Sequence, residues 1–195
     1  YIKISYPGIG KLFDRHDGIK ITGLEGTEAA SLEGAAVVWA KDEDYIVVVG
    51  ILDSTFQTES SITISRKMPE MDYIVESENR LWGCRYGPQG NQIVNEIYAC
   101  KLGDFKNWYC YMGVSTDSYA ASVGTDGQFT GAITHLGYPL FFKENCLHKV
   151  YGNYPANYQI QTTTCRGVQK GCGKSLAIVN EVLYYKSRSS VCAYD

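Results

Sequence analysis

The sequence lacks any apolar run of 18 residues or more, the length that a membrane-spanning helix requires. It also lacks a basic stretch followed by an apolar core at its start, so we expect neither a membrane span nor a signal peptide. No pattern of a long amphipathic helix occurs. The net charge of the 195 residues is −3, so the strong positive field of a general nucleic-acid binder is missing too. The chain starts and stops inside strand-like stretches, and we expect it to be a piece of a longer protein.

Paired cysteine motifs are also missing, because no Cys-x-x-Cys spacing occurs. The cysteines form an odd set of seven that lies entirely after residue 80: Cys84, Cys100, Cys110, Cys146, Cys165, Cys172 and Cys192. A secreted disulfide framework is usually shorter and even-numbered. We therefore expect reduced thiols, mostly buried in strands, in a protein made in reducing cytosol.

A hairpin phrase occurs three times in the second part of the chain. In each copy a run with branched residues leads through a turn into a further strand: 73–76 into 81–84, 132–134 into 140–143, and 177–181 into 182–186. The copies recur at intervals near the roughly 40–50 residues of a propeller blade. Several short strands per copy therefore predict a partial β-propeller, with an ordinary antiparallel meander as the alternative.

The first 70 residues predict a separate small unit. Short alternating runs separated by Gly and Asp turns predict five strands, at 2–5, 17–23, 35–40, 45–50 and 61–67. Five such strands suffice for a small SH3-like or OB-like barrel. Pro69 cannot donate to a strand ladder and biases Met68 toward extended structure, so we place the join there. The predicted domains are a small β-barrel at 1–70 and a partial β-propeller of two to three blades at 71–195.

The second part resembles a known family. The stretch 78–87, which includes Arg80, Leu81 and Trp82, resembles the strand that opens a blade in propeller proteins of tailed bacteriophages and prophages. Further stretches are similar to later elements of the same proteins: 95–99, 102–108, 131–152 and 175–195. The first part resembles, more loosely, a small barrel that phage tail and connector proteins carry as a decoration, at 17–23, 32–34 and 44–47.

This resemblance implies an all-β, non-catalytic structural protein of the virion, at the tail or neck, assembled in the bacterial cytoplasm. Its expected partners are other virion proteins and copies of itself, through protein–protein contacts, with no membrane and no strong nucleic-acid signal. Three blade phrases do not close a propeller, so further sequence or another chain must complete it. A carbohydrate-binding module for host adsorption, with a glycan as partner, remains an alternative, and a propeller glycosidase a weaker one.

Motifs for catalysis or metal binding are weak. The loop 167–175 ends in Gly-Lys-Ser, but Val168 stands where a P-loop requires glycine, and a strand follows where a helix is needed. Cys146 and His148 share one strand face and could bind zinc with Cys165 or Cys172, but they lack the usual ligand spacing. A glycosidase would use several carboxylates around a channel, whereas most carboxylates here fall in turns. We expect no enzyme activity, no cofactor and no metal.

The chain is rich in tyrosine, with sixteen of them. Tyrosine presents a large flat area with a polar tip, which suits interfaces, although packing between blades would use it equally well. The candidate binding residues are Trp108, Tyr151, Tyr154 and Tyr158. Of these, Tyr154 and Tyr158 flank Pro155 in a predicted loop, so we expect them to be the most exposed.

Overall fold

The computed structural model describes residues 1–23, 34–49 and 62–195. The protein is all-β, with 51% of its residues in strands and 5% in helix, as the sequence predicts. Over the described ranges the helices are single 3-10 turns, at Ile9–Lys11, Pro155–Asn157 and Gly173–Ser175, and none has the length or hydropathy of a membrane span. Four antiparallel sheets form, and in the described residues none closes into a barrel.

Sixteen strands are described, β1 to β16 in chain order. Their bounds are Ile2–Ser5, Gly18–Thr22, Gly34–Asp42, Tyr45–Val48, Thr63–Arg66, Tyr73–Ser77, Arg80–Gln89, Gln92–Ala99, Tyr119–Ser122, Gly131–His135, Tyr138–Phe142, Cys146–Tyr151, Gln159–Thr164, Ala177–Val179, Val182–Lys186 and Val191–Tyr194.

The chain divides into two compact units. The first comprises Tyr1–Pro69 together with Lys106–Met112, and the second comprises Glu70–Phe105 and Gly113–Asp195. The sequence gives no sign that the short segment 106–112 belongs with the first unit. The domain division at 70/71 therefore stays a prediction, and any test of it must take this segment into account.

One sheet of five antiparallel strands forms the first unit, in the order β1-β4-β3-β2-β5. All five strands fall where the sequence predicts them. In β2, Ile19 and Ile21 are buried while Lys20 between them is exposed, which is the alternation that a one-sided sheet requires. The two isoleucines pack with Phe13 and Ile46 in a single apolar core. The edge strands of this sheet, β1 and β5, are both described and are not paired with each other, so the sheet is open over the described residues and the SH3-like or OB-like barrel is not confirmed.

The segment 106–112 is fixed in the first unit by a buried amide. Asn107 Oδ1 accepts a hydrogen bond from Gly18 N at 3.3 Å, and Asn107 Nδ2 donates to His16 O at 3.1 Å. A Cβ on Gly18 would lie only 2.8 Å from Tyr109 Cβ, so this close approach requires glycine. Asp17 Oδ2 in turn accepts from Arg66 at 2.8 Å, which balances the charge of this buried carboxylate.

Three antiparallel meanders follow one another in the second unit. We call them sheet A (β6–β9), sheet B (β10–β13) and sheet C (β14–β16). On sheet B, Phe141 packs into a core shared with sheet A, and its neighbours Leu140 and Phe142 pack into a core shared with sheet C. Successive side chains of a strand point to opposite faces, so sheet B is buried on both of its faces.

The repeated phrase of the sequence forms the same hairpin in each sheet. The loops between β6 and β7, β10 and β11, and β14 and β15 each have two central residues with positive φ: Glu78 and Asn79, Leu136 and Gly137, Asn180 and Glu181. Positive φ at both positions is typical of a type I′ turn, whose twist matches that of the flanking strands. The three predicted hairpins are thus confirmed.

Candidate functional site

The three type I′ turns lie at one end of the second unit, which we call the turn end. Ser77 Oγ donates a hydrogen bond to Gly137 O at 2.7 Å, and Thr134 Oγ1 donates to Glu76 O. His135 Nε2 bonds Glu181 O in the same way between sheets B and C. Each turn is therefore bonded to a neighbouring sheet, which gives the turn end a fixed shape.

A cleft opens at the turn end between sheets A and B, with a volume of about 390 Å³. We call it the turn-end cleft. Its lining combines aromatic and apolar side chains with a few polar groups: Ser77, Glu78, Trp82, Leu136, Gly137, Tyr138, Pro139, Val150, Gly152, Asn153 and Tyr158.

Aromatic rings form one wall of the turn-end cleft. The Tyr158 ring meets Trp82 edge-on at 4.9 Å between centroids and Tyr119 at 5.1 Å. Burial raises the pKa of the Tyr158 phenol, so its hydroxyl stays protonated and neutral at physiological pH. This wall is consequently uncharged and well ordered by ring-to-ring packing.

Arg80 lies behind that wall, almost fully buried. Its Nη1 donates to the carbonyls of Cys100 and Asp117 at 2.7 and 2.5 Å, and its Nη2 donates to Ser115 O at 2.8 Å. The guanidinium carbon is 5.9 Å from the centre of the Tyr158 ring. Among the described residues no carboxylate forms an ion pair with it, so Arg80 leaves a positive charge behind the aromatic wall.

The loop from β12 to β13 forms another edge of the cleft. Asn157 Oδ1 accepts hydrogen bonds from the backbone N–H groups of Asn153 and Tyr154, both at 3.0 Å, and Asn157 Nδ2 donates to Asn153 Oδ1 at 2.8 Å. Gly152 has φ 106° and lies so close to Asn157 O that a Cβ would clash at 2.6 Å. The side chain of Asn153 is thereby held at the cleft by a braced loop.

The four predicted binding residues lie in different places. Tyr154 lies in the loop that adjoins the cleft and is 42% exposed, as predicted. Tyr158 lines the cleft but is half-buried rather than exposed, because its ring packs against Trp82 and Tyr119. Tyr151 packs against Tyr138 at 5.1 Å, with Lys149 Nζ 5.0 Å above its ring. Trp108 belongs to the first unit and is only 2% exposed, so it offers almost no surface to a partner.

Several residues that line the cleft are not among the binding residues predicted from the sequence. Glu78 and Tyr138 belong to the repeated turn phrase, and Trp82 follows two residues after the first of these turns. Their common signal was the repetition itself: turns that recur at blade intervals come together at one end of the stack. That repetition predicts the fold, but it does not show which side chains the turns bring to the cleft.

A second polar cluster is buried between sheets A and B. Lys143 Nζ donates to Asn95 Oδ1 at 2.8 Å and to Thr125 O at 2.7 Å. The two ring nitrogens of His148 are each 2.8 Å from a threonine hydroxyl, that of Thr125 at Nε2 and that of Thr162 at Nδ1. Burial and the charge of Lys143 lower the pKa of His148 to about 4, so this imidazole is neutral at pH 7.

The possible zinc ligands do not assemble around that histidine. Cys146 Sγ is 3.8 Å from His148 Nε2, but Thr125 and Thr162 already occupy both ring nitrogens. Throughout the part of the chain that the structure describes, no group of three or more His, Cys, Asp or Glu side chains is placed to hold a metal ion.

All seven cysteines are in the thiol form; four are buried, and Cys165, Cys172 and Cys192 are partly exposed. Hydrogen bonding by Ser187, then Ser190, lowers the pKa of Cys192, whereas burial raises that of Cys84. Because the thiolate is the reactive form, we expect iodoacetamide to modify at most these three in the native protein, Cys192 first, and all seven after denaturation. Mass spectrometry of the peptides, prepared without reductant, identifies the modified thiols. In the control variant Cys192→Ser, the fastest modification should be missing. Recovery of disulfide-linked peptides would contradict it.

Comparison of the chain with protein-family models, with curated proteins and with solved structures gave no match.

Proposed function

We propose that the protein is a non-catalytic structural component of a phage virion, at the tail or neck, which acts through protein–protein assembly contacts. In this proposal the second unit is part of a β-propeller, with sheets A, B and C as successive blades, and the first unit is a small barrel-type decoration domain. Support comes from the burial of sheet B on both faces by its chain neighbours, because face-to-face stacking of consecutive meanders is how propeller blades pack.

The single observation that carries the assembly role is the outer face of sheet C. In the strand pairing, Tyr184 lies opposite Ala177 and Ala193, so these three share one face, while Leu183 faces sheet B. The outer face is apolar apart from Lys186: Ala177, Val179, Val182, Tyr184, Val191 and Ala193. Val191 is 72% exposed, Val179 55% and Tyr184 40%. A contiguous apolar face of this kind is typical of an interaction surface.

What fits this face is another antiparallel sheet of the same kind. Sheet B shows the geometry in this chain, since each of its faces is covered by a neighbouring meander. In an isolated chain the occupant is a second copy. In the virion it is a neighbouring blade from whichever chain continues the stack.

Replacement of Val191 by lysine should reduce self-association of this chain. At 72% exposure the new charge costs little in the monomer, but it would have to be desolvated in any complex that covers sheet C. Sedimentation velocity at about 100 μM, in the range where exposed apolar surface promotes association, measures the effect.

The matched control is Ile93→Lys, because Ile93 is 71% exposed but lies on β8 of sheet A. The proposal expects association in the unmodified chain and in Ile93→Lys, and its loss in Val191→Lys. An unmodified chain that remains monomeric, or two variants that behave alike, would count against assembly through sheet C.

A further inference from the structure

The turn-end cleft has the size of a small-molecule site and a lining that the assembly role does not use. Its volume of about 390 Å³ falls within the roughly 300–1,000 Å³ of typical ligand pockets. Leu136 and Tyr138, which are 57% and 37% exposed, and the half-buried Tyr158 offer apolar surface over a floor of buried side chains. Glu78 brings an exposed carboxylate to the edge. Such a combination suits a ligand with both apolar and hydrogen-bonding surfaces.

The charges around the cleft are mixed in sign, so they give no net preference for a cation or an anion. Arg80 lies behind Tyr158, at 5.9 Å from its ring, and Lys149 Nζ lies 4.4 Å from the ring of Tyr138. These two positive charges oppose a cation that would otherwise stack on the same rings. Glu78 at the edge opposes an anion, which cannot reach the guanidinium of Arg80 because that group is buried and bonded to three carbonyls.

The hydrogen-bonding groups suit a compound with several hydroxyls. The Glu78 carboxylate can accept from two hydroxyl groups, and the Asn153 amide, whose Oδ1 is held by Asn157, can donate from its nitrogen. A pyranose ring combines an apolar face for the tyrosine rings with hydroxyls at its edge. From this match we propose that the turn-end cleft binds a neutral saccharide unit of a glycan.

Saturation-transfer-difference NMR on the full chain tests this with named probes. The neutral probes are the methyl glycosides of glucose, galactose and N-acetylglucosamine; glucosamine serves as a cation and glucuronate as an anion. For a ligand of this size we expect a dissociation constant in the millimolar range for at least one neutral probe. We expect weaker saturation transfer to both charged probes. In amide NMR spectra of the isotope-labelled chain, we expect the neutral probe to change the shifts of Gly137 and Asn153.

Two turn variants place the binding at the cleft. Glu78→Gln keeps the size of the side chain but removes the charge of an acceptor, so the affinity should fall about tenfold. Glu181→Gln is the matched control: it is an exposed glutamate of the third turn that does not line the cleft, and its variant should bind as the unmodified chain does.

Each other outcome would overturn the proposal. Absence of transfer to all three neutral probes would exclude the saccharide site. Tighter binding of glucosamine would mean a cation site, and tighter binding of glucuronate an anion site. Equal effects of Glu78→Gln and Glu181→Gln, or shift changes outside the turn end, would place the binding elsewhere.

Discussion

Lowering the pH from 7 to 4 should destabilise the second unit by about 3 kcal/mol through His148 alone. The side chain is fully buried between two threonine hydroxyls, and its pKa falls from the ordinary 6.5 to about 4. Each pKa unit corresponds to about 1.4 kcal/mol of difference between the two protonation states. In the unfolded chain the imidazole takes up its proton near pH 6.5, but in the folded chain only near pH 4.

The sign of the effect follows from this order. Above pH 6.5 the histidine is neutral in both states, and its full contribution to stability is present. Between pH 6.5 and about 4 the unfolded state binds the proton and the folded state does not, so the free energy of unfolding falls as the pH falls. Below about pH 4 both states are protonated and the contribution is lost. The charge of the neighbouring Lys143 contributes to the lowered pKa of His148, because it disfavours a second positive charge nearby.

Urea denaturation at pH 7 and pH 4, followed by NMR signals of the second unit, measures this loss. In His148→Gln the group that titrates is gone, so the variant should be less stable at pH 7 but should lose about 3 kcal/mol less than the unmodified chain on acidification. Titration of carboxylates is common to both proteins and cancels in the difference. Equal losses in the two proteins would show that His148 is solvated rather than buried as a neutral group.

The hairpins of the second unit were predictable because their signals are local. The type I′ turns at Glu78, Leu136 and Asn180 are bounded by alternating apolar residues within a few positions of the chain. The strands of the first unit were predictable for the same reason: Ile19 and Ile21 alternate with polar neighbours. The repetition of the hairpin pattern along the sequence also suggested that consecutive meanders stack on one another.

The contacts that shape the candidate site could not be predicted, since they join residues distant in sequence. Asn107 bonds Gly18 across 89 positions, and Ser77 bonds Gly137 across 60. A single sequence contains no signal for such pairs. His148 lies in an ordinary alternating strand, and it is enclosed by the Thr125 loop together with Thr162 of the neighbouring strand. Arg80 is the clearest case, because arginine is among the residues least often buried.

Replacement of Arg80 by methionine should cost the second unit roughly 3–5 kcal/mol, since it removes the donor of several buried charged hydrogen bonds at once. The three carbonyls that it serves belong to two separate stretches: Cys100 follows the end of β8, while Ser115 and Asp117 precede β9. The guanidinium therefore holds together the two ends of the long segment that connects β8 and β9. Methionine keeps an unbranched apolar stem but has no guanidinium, so it leaves all three carbonyls without that donor, those of Cys100 and Asp117 in buried positions.

Arg80→Lys separates the role of the charge from that of the geometry. An ammonium group keeps the positive charge, but it is a compact donor that cannot reproduce the planar fork which reaches Cys100, Asp117 and Ser115 together. We therefore expect a loss of unfolding free energy for Arg80→Lys between those of the unmodified chain and Arg80→Met, measured by the same urea denaturation at pH 7. Arg85→Met is the control, because Arg85 forms partly exposed ion pairs with Asp72 and Glu70, and such pairs contribute about 0–1 kcal/mol. If Arg80→Met lost as little unfolding free energy as Arg85→Met, the carbonyls would have found other donors, and the segment between β8 and β9 would not depend on Arg80.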